Sequence, residues 1–230
     1  DIAELRGKDL VEDLCRRDFT INAMAIRAEK DGALGEVIDP CRGAEDLEKR
    51  MVRATGPTSF ISDPLRILRA IRFAANLDFE IDASTLNEME RTARSIQEVS
   101  AERIVSELLQ ILATPRSAPF FRQMDELGVL EVIFPEIRAM KGCTQNSYHH
   151  RDVWQHSLAV FENIETILSH LPEFFGNSSG AVPENLQIHD RAALLKLAAL
   201  LHDIGKPAVR KIDMQTERIT FYGHDREGAG

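Results

Sequence analysis

The chain has 230 residues, 43% of them hydrophobic and 28% charged, the mix of a globular protein with room for one or two cores. No apolar run reaches the roughly 20 residues of a membrane helix, no signal peptide opens the chain, and three widely spaced cysteines (Cys15, Cys41, Cys143) fit a reducing cytosol and neither a disulfide framework nor a zinc ribbon. A net charge of −9 and a pI near 5.3 argue against binding nucleic acid by bulk charge, yet Arg16, Arg17, Arg66, Arg69 and Arg72 gather enough local charge for a groove that takes a short RNA end.

In chain order, residues 21–26 and 35–38 predict short strands. Asp39-Pro40 and Gly43 mark a turn, and residues 44–50 predict a short helix, so residues 1–52 read as the tail of an α/β unit. Residues 63–141 read as mainly helical. Asp63 and Pro64 give a helix start, cap and first position, and Leu65, Leu68, Ile71 and Ala75 recur near the helical period. Ser100 can cap the next helix, with Ile104, Leu108 and Leu112 on one face. Residues 115–135 predict a further helix ending near Gly128, with Pro135 beyond it. Residues 153–171 predict one amphipathic helix, 172–187 a loop or insertion, 189–204 a helix closed by Gly205 and Pro207, and 210–222 a weak hairpin.

Three runs in the first half carry chemistry. RRDFTINAMAI (residues 16–26) packs guanidinium, carboxylate and amide into seven positions, suited to phosphate and to sugar hydroxyls. A strand edge with solvated charges explains the same residues equally well. DPCRGAEDL (39–47) and DPLRILRAIRFAA (63–75) follow. Asp63 and Arg66, three apart at a helix start, share a face. Cytosine and adenine both set an exocyclic amine beside a bare ring nitrogen. A carboxylate accepting from the amine while a guanidinium donates to the ring nitrogen therefore selects C and A over G and U. A helix cap with a local Asp63–Arg66 ion pair is the competing reading.

Together these runs resemble the bacterial tRNA nucleotidyltransferase/poly(A) polymerase family. The resemblance implies that Asp63 and Arg66 read the incoming CTP or ATP. It also implies that Arg17, Asp18 and Asn22 hold the ribose and triphosphate, and that Arg69 and Arg72 line the nucleotide or RNA side of a helical neck. Asp39, Pro40, Gly43 and Asp46 match a motif joining head to neck, flexible while the site switches from C to A. The chain departs from the pattern at Ser62, where the family usually has Glu. The family's Gly-Gly/Ser phosphate loop and its magnesium-holding Asp-x-Asp strand have no counterpart here, and the chain opens on Asp1 rather than Met. The resemblance thus implies a fragment that cannot catalyse transfer alone.

In the second half, LLKLAALLHDIGKP (194–207) carries His202-Asp203 at a helix end, His156 lies in VWQHSLAV, and His224 lies in FYGHDREGA. Imidazole and carboxylate together suit divalent metals. This half resembles the HD superfamily of metal-dependent phosphohydrolases. The resemblance implies His156, His202 and Asp203 as ligands and His224 as a further one, with His149 and His150 as weaker phosphate contacts. The superfamily's last Asp sits on a later helix, and no such helix is expected before Gly230.

The expectation is a mainly α chain: the C-terminal part of an α/β nucleotidyltransferase head (1–52), a helical neck and RNA-binding body (53–145), and an incomplete α-helical HD-type domain (146–230). Implied partners are tRNA, ATP and CTP, with no membrane. Implied cofactors are Mg2+ for nucleotidyl transfer and a divalent transition metal in the HD domain; the implied location is cytoplasmic. The implied function of the parent enzyme is template-independent addition of CMP and AMP to the tRNA 3′ end. Poly(A) polymerase and an HD-type phosphohydrolase stand as alternatives, with a non-catalytic RNA- or nucleotide-binding module as a third.

Overall fold

A computed structural model describes residues 5, 7–28, 32–145, 151–176 and 190–229. The chain is mostly helical, with three two-stranded sheets among the described residues. It divides into two compact units, Asp1–Leu108 and Leu109–Gly230.

In the first unit, helix α1 (Leu10–Cys15) starts at Asp9, whose carboxylate accepts from the Glu12 amide. Residues 21–26 do not form the expected strand. Thr20–Asn22 is a 3-10 turn, and strand β1 begins only at Ala25 (Ala25–Ala28), antiparallel to β2 (Leu34–Ile38). The Asn22 side chain explains the correction: Oδ1 accepts from the Phe19 amide at 3.3 Å while Nδ2 donates to Asp18 at 2.8 Å. Such local bonds compete with a strand ladder.

Helix α2 (Gly43–Glu48) follows. Asp39 caps it, taking the Gly43 and Ala44 amides at 2.7 and 2.9 Å. A Cβ at Gly43 would fall 2.1 Å from the Thr20 carbonyl, so only glycine lets α2 approach the 3-10 turn this closely. Next come β3 (Met51–Val52), α3 (Ser59–Ser62), α4 (Arg66–Leu77), β4 (Glu80–Ile81, parallel to β3) and α5 (Ala83–Thr92). Arg53 knots this region, bonding Asp46 at 3.1 Å and Asp82 at 2.6 Å. Buried Asp46 also accepts from the Thr20 hydroxyl at 2.7 Å. The core gathers Phe19, Phe60, Ile67, Leu68, Ile71 and Met89, all essentially inaccessible. α4 supplies three of these at helical spacing, and its apolar stripe is why it lies flat on the unit. Helix α6 (Ala101–Leu112) runs across the boundary.

In the second unit, the helix expected to end near Gly128 is α7 (Ala118–Glu126); α8 (Val129–Ile133) starts beyond Gly128, and α9 (Ile137–Met140) comes after Pro135. Helix α10 (Val153–Ser169) is capped by Asp152, which accepts from the Gln155 amide at 2.7 Å. The short α11 (Leu171–Phe175) occupies the start of the expected loop; the rest of that loop, and His149 and His150, lie outside the described residues. Helix α12 (Arg191–Leu201) packs along α10. It ends at Leu201, and after a turn over 202–205 a separate short helix, α13 (Lys206–Val209), begins behind Gly205 with Pro207 in its first turn, where the missing N–H costs nothing. The expected hairpin forms as β5 (Lys211–Ile212) and β6 (Ile219–Thr220). A short helix, α14 (His224–Glu227), then follows and delivers a histidine to the neighbourhood of Asp203. Phe121 and Phe161 pack edge to face at 5.1 Å in this unit's core, with Trp154 and Leu200 buried around them. Among the described residues, no helix is long and apolar enough to cross a membrane.

Candidate functional site

The first unit holds a polar centre built around Asp18, which is 8% exposed. Its Oδ1 accepts from Asn22 Nδ2 at 2.8 Å and from the Phe19 amide at 3.2 Å. Its Oδ2 takes Arg69 Nε at 2.7 Å and Nη2 at 2.6 Å, delivered by α4. Burial alone would raise the Asp18 carboxyl, but the Asn22 amide and the Arg69 charge outweigh it and hold the group below the usual carboxylate value. Glu107 continues the chain of charge, 3.8 Å from Arg69 and 2.5 Å from Arg72. Arg72 is therefore turned inward onto Glu107 and the Phe73 ring, 4.6 Å from its centroid, rather than toward a nucleotide. Asp18 does not present a bare carboxylate either. It sets the positions of Asn22 and Arg69.

Arg17 keeps an exposed guanidinium that touches the Asn22 carbonyl at 3.3 Å and Asp13 at 3.6 Å. Arg66 donates to the Arg16 carbonyl at 2.9 Å and to the Ser59 hydroxyl at 2.9 Å, tying the exit of α1 to α3. Asp63 accepts from the Leu65 amide at 3.2 Å and binds Arg103 at 2.9 Å. Asp63 and Arg66 thus find separate partners, and the local ion pair between them does not form. Both nevertheless line two adjoining cavities, of about 870 and 500 Å³, together with Arg16. The smaller cavity also collects Arg17, Asp18, Asn22 and Arg69, so the six residues expected to bind nucleotide line a single hollow.

Sequence reasoning missed Arg103, Ser59 and Ser100, which line the larger cavity. Arg103 carried a signal. It lies in the first turn of α6, where the helix dipole disfavours a cation, so an arginine there calls for an acidic partner.

In the second unit, His156 from α10 and His202 and Asp203 from the end of α12 converge, with ligand atoms all within 4.8 Å of one another. His156 Nε2 and His202 Nε2 lie 3.7 and 3.0 Å from Asp203 Oδ2, and His224 Nε2 lies 3.6 Å from Oδ1. Gly205 makes that last approach possible, because a Cβ there would fall 2.3 Å from the His224 carbonyl. His202 Nδ1 contacts the Ala199 carbonyl, and His224 Nδ1 the Phe221 carbonyl, both at 2.9 Å. A carbonyl only accepts, so each Nδ1 carries a proton, which leaves each Nε2 as the ring atom available to a metal.

Asp203 is 2% exposed, and its buried Oδ2 is ion-paired, with Lys206 Nζ at 2.7 Å and His202 Nε2 at 3.0 Å, rather than held in a regular hydrogen bond. Burial alone would raise this carboxyl, but His202 and Lys206 bring it down to about 2. In turn Asp203 holds the His202 imidazole above its ordinary value. A buried, ionised carboxylate with three imidazole Nε2 atoms within 3.7 Å of its oxygens is a donor set that fits a divalent cation. Bound there, a cation would act as a Lewis acid and activate water.

Three family models match the chain: a poly(A) polymerase head domain over residues 3–53, a probable RNA- and SrmB-binding site of polymerase A over 78–141, and an HD domain over 153–230. An A-adding tRNA nucleotidyltransferase of Deinococcus radiodurans is 34% identical across 96% of this chain and 46% of its own length. A CC-adding tRNA nucleotidyltransferase of Thermus thermophilus is 33% identical across 100% and 48%. A crystal structure of a tRNA nucleotidyltransferase complexed with a primer tRNA and an incoming ATP analogue superposes with a TM-score of 0.63 at 29% identity, across 84% of this chain and 50% of that one. The chain spans about half the length of these relatives. With its head, RNA-binding and HD segments in this order, the chain belongs to the tRNA nucleotidyltransferase/poly(A) polymerase family that carries an HD domain.

Proposed function

We propose that the parent enzyme adds CMP and AMP to the tRNA 3′ end without a template, releasing pyrophosphate, and that this chain supplies base selection and RNA binding. On this reading residues 1–52 end the nucleotidyltransferase head, 53–145 form the neck and body, and 146–230 the HD-type domain. The observation that carries it is the Asp63 carboxylate and Arg66 guanidinium on the wall shared by two cavities, one of which collects Arg17, Asp18, Asn22 and Arg69. Asp63 accepts the exocyclic amine of cytosine or adenine, and Arg66 donates to the neighbouring ring nitrogen. Arg17, half exposed, faces the triphosphate. Arg69 and Asn22, held by Asp18, face phosphate and ribose. The solved relatives bound to CTP or to tRNA with an ATP analogue support these partners for the parent.

The chain contains no Asp-x-Asp sequence, so the Mg2+ of nucleotidyl transfer is assigned to no residue in it, and the chain alone is expected not to add nucleotides. The test has two parts. Equilibrium binding should rank CTP and ATP above GTP and UTP, with the preference lost in Asp63→Ala; equal binding of all four overturns the selection role. Labelled CTP and ATP, offered with magnesium and tRNAs lacking one, two or three terminal nucleotides, should not be incorporated by the chain alone. In the parent enzyme, the pattern of addition separates CCA-, CC- and A-adding activity from poly(A) synthesis.

A second reading, a metal-dependent phosphohydrolase, is favoured by the convergence of His156, His202, Asp203 and His224. It predicts metal-dependent release of phosphate from a 2′,3′-cyclic phosphate or a nucleotide, abolished in His202→Ala. Metal-free, inactive protein after incubation with divalent transition ions would rule it out.

A further inference from the structure

Cys15 and Cys41 are 26 residues apart in sequence, on separate elements. Cys15 ends α1, and Cys41 sits in the turn between Asp39-Pro40 and α2. Their Sγ atoms are nevertheless 3.4 Å apart. Both thiols are free, Cys15 exposed and Cys41 partly so, whereas Cys143 lies in the other unit. Cys15 lines the 870 Å³ cavity beside Arg16, and Cys41 lines a second hollow of about 370 Å³, so the pair is open to solvent from two sides.

We infer that Cys15 and Cys41 form an oxidisable dithiol, a modification site that low-molecular-weight disulfides convert to an intramolecular disulfide. Closing 3.4 Å to a bond of about 2.05 Å needs a movement of only about 1.3 Å, within what the end of a short helix and a turn can give. The route is thiol–disulfide exchange. The exposed Cys15 thiolate attacks oxidised glutathione, forming a mixed disulfide and expelling one glutathione thiolate. The Cys41 thiolate then attacks the Cys15 sulfur and expels the second. Two thiols become one disulfide, one oxidised glutathione becomes two reduced molecules, and the two thiol protons pass to the departing thiolates.

The order of the thiols follows from their surroundings. Burial, together with the neighbouring Cys15 thiol, pushes Cys41 up to about 11, so it enters slowly from bulk solvent and acts second, once its partner is activated beside it. The disulfide would fix the end of α1, and with it the Arg16 and Arg17 backbone that Arg66 grips, to the start of α2.

The test equilibrates the whole chain in mixtures of reduced and oxidised glutathione, quenches with acid, and maps peptides without reduction. One cross-link, Cys15 to Cys41, is expected. It should be reversed by dithiothreitol, leave a single titratable thiol, persist in Cys143→Ser, and vanish in Cys15→Ser and Cys41→Ser. A stable glutathione adduct on Cys15 with no cross-link would overturn the proposal, as would cross-links that require Cys143 or that join two chains. Exposed Cys15→Ser should fold as the parent does, so its far-ultraviolet circular dichroism distinguishes loss of the bond from loss of the fold.

Discussion

Arg103 reaches from the first turn of α6 to Asp63, placing Nη2 2.9 Å from Oδ2 and 3.3 Å from Oδ1. The two residues are 40 apart in sequence, and their contact fixes the carboxylate on which base selection would depend. Asp63 Oδ1 also takes the Leu65 amide, so the carboxylate is held at three points before any base arrives. Both partners are substantially exposed, so the pair adds little stability, about 0–1 kcal/mol, and Arg103→Ala should unfold at nearly the parent's denaturant midpoint. Its effect should appear in selection instead. With the orienting guanidinium gone, the preference for CTP and ATP should narrow several-fold, whereas Asp63→Asn, which replaces an acceptor by a donor, should cost the amine-bearing bases roughly tenfold, or ~1.4 kcal/mol. Equilibrium binding of the four nucleotides reads both. An Asp63→Asn variant with unchanged ranking would remove Asp63 from base recognition.

Asp18 makes a prediction about acid. Its carboxyl is held below the ordinary 3.8, so its contribution to stability is complete above about pH 4 and drains away as the pH falls through its lower folded value. Asp18→Asn removes that dependence. Urea unfolding between about pH 4 and pH 2 should therefore show a shallower fall in the variant than in the parent. At neutral pH the variant should lose about 2 kcal/mol, less than the roughly 3–5 for a fully buried pair, because the Arg69 side chain is 33% exposed and water can screen it. Equal slopes in the two proteins would mean that Arg69 and Asn22 do not set the Asp18 titration.

How much of this was legible in the sequence depends on how far apart the partners lie. Local signals survived. The period of Leu68 and Ile71 gave α4, the helix expected from residue 153 begins there as α10, and the hairpin formed at 211–220. The adjacent His202-Asp203 pair pointed to a metal site, and the structure brings His156 to it from 46 positions upstream. What failed were places where side chains override local preference: residues 21–26 read as a strand from their apolar run, whereas the Asn22 side chain staples a turn there. What stayed hidden were pairings between distant charges and thiols. Nothing in the composition of α6 names Asp63 as the partner of Arg103, and 25 intervening residues separate Cys15 from Cys41.

Lys196 shows the same blindness in the second unit, and its network predicts an asymmetry. It sits in an alanine- and leucine-rich helix, yet its ammonium is buried, bonding the Thr114 carbonyl at 2.7 Å and Glu165 at 2.9 Å. Glu165 in turn accepts from the Ser117 amide at 2.6 Å and the Ala118 amide at 3.1 Å, capping α7 from another helix. Lys196→Met leaves Glu165 with its cap donors and should cost about 1–2 kcal/mol. Glu165→Leu strands the ammonium and uncaps α7 together, and should cost about 3–5 kcal/mol. Chemical denaturation of both variants reads the difference. Equal losses would mean that the two charges act only as a pair and that the cap contributes nothing.

The candidate metal site gives the sharpest prediction, because a cation already stands where a metal would go. Lys206 Nζ is 2.7 Å from the buried Asp203 Oδ2 and also bonds Gln145 Oε1 at 2.8 Å. A divalent ion reaching Asp203 must displace this ammonium or share the carboxylate with it, and like charges this close repel. Lys206→Met should therefore tighten Co2+ binding about tenfold, while His202→Ala and Asp203→Asn should each weaken it by at least that factor. His224→Ala should have a smaller effect, since its Nε2 approaches the other carboxylate oxygen at 3.6 Å. The visible absorption of bound Co2+ reports affinity and geometry at once, in the whole chain and without any substrate. If Lys206→Met binds more weakly than the parent, the ammonium orients Asp203 for the metal and does not compete with it. If His202→Ala binds as the parent does, the ion sits elsewhere and the cluster is a buried ion-pair network.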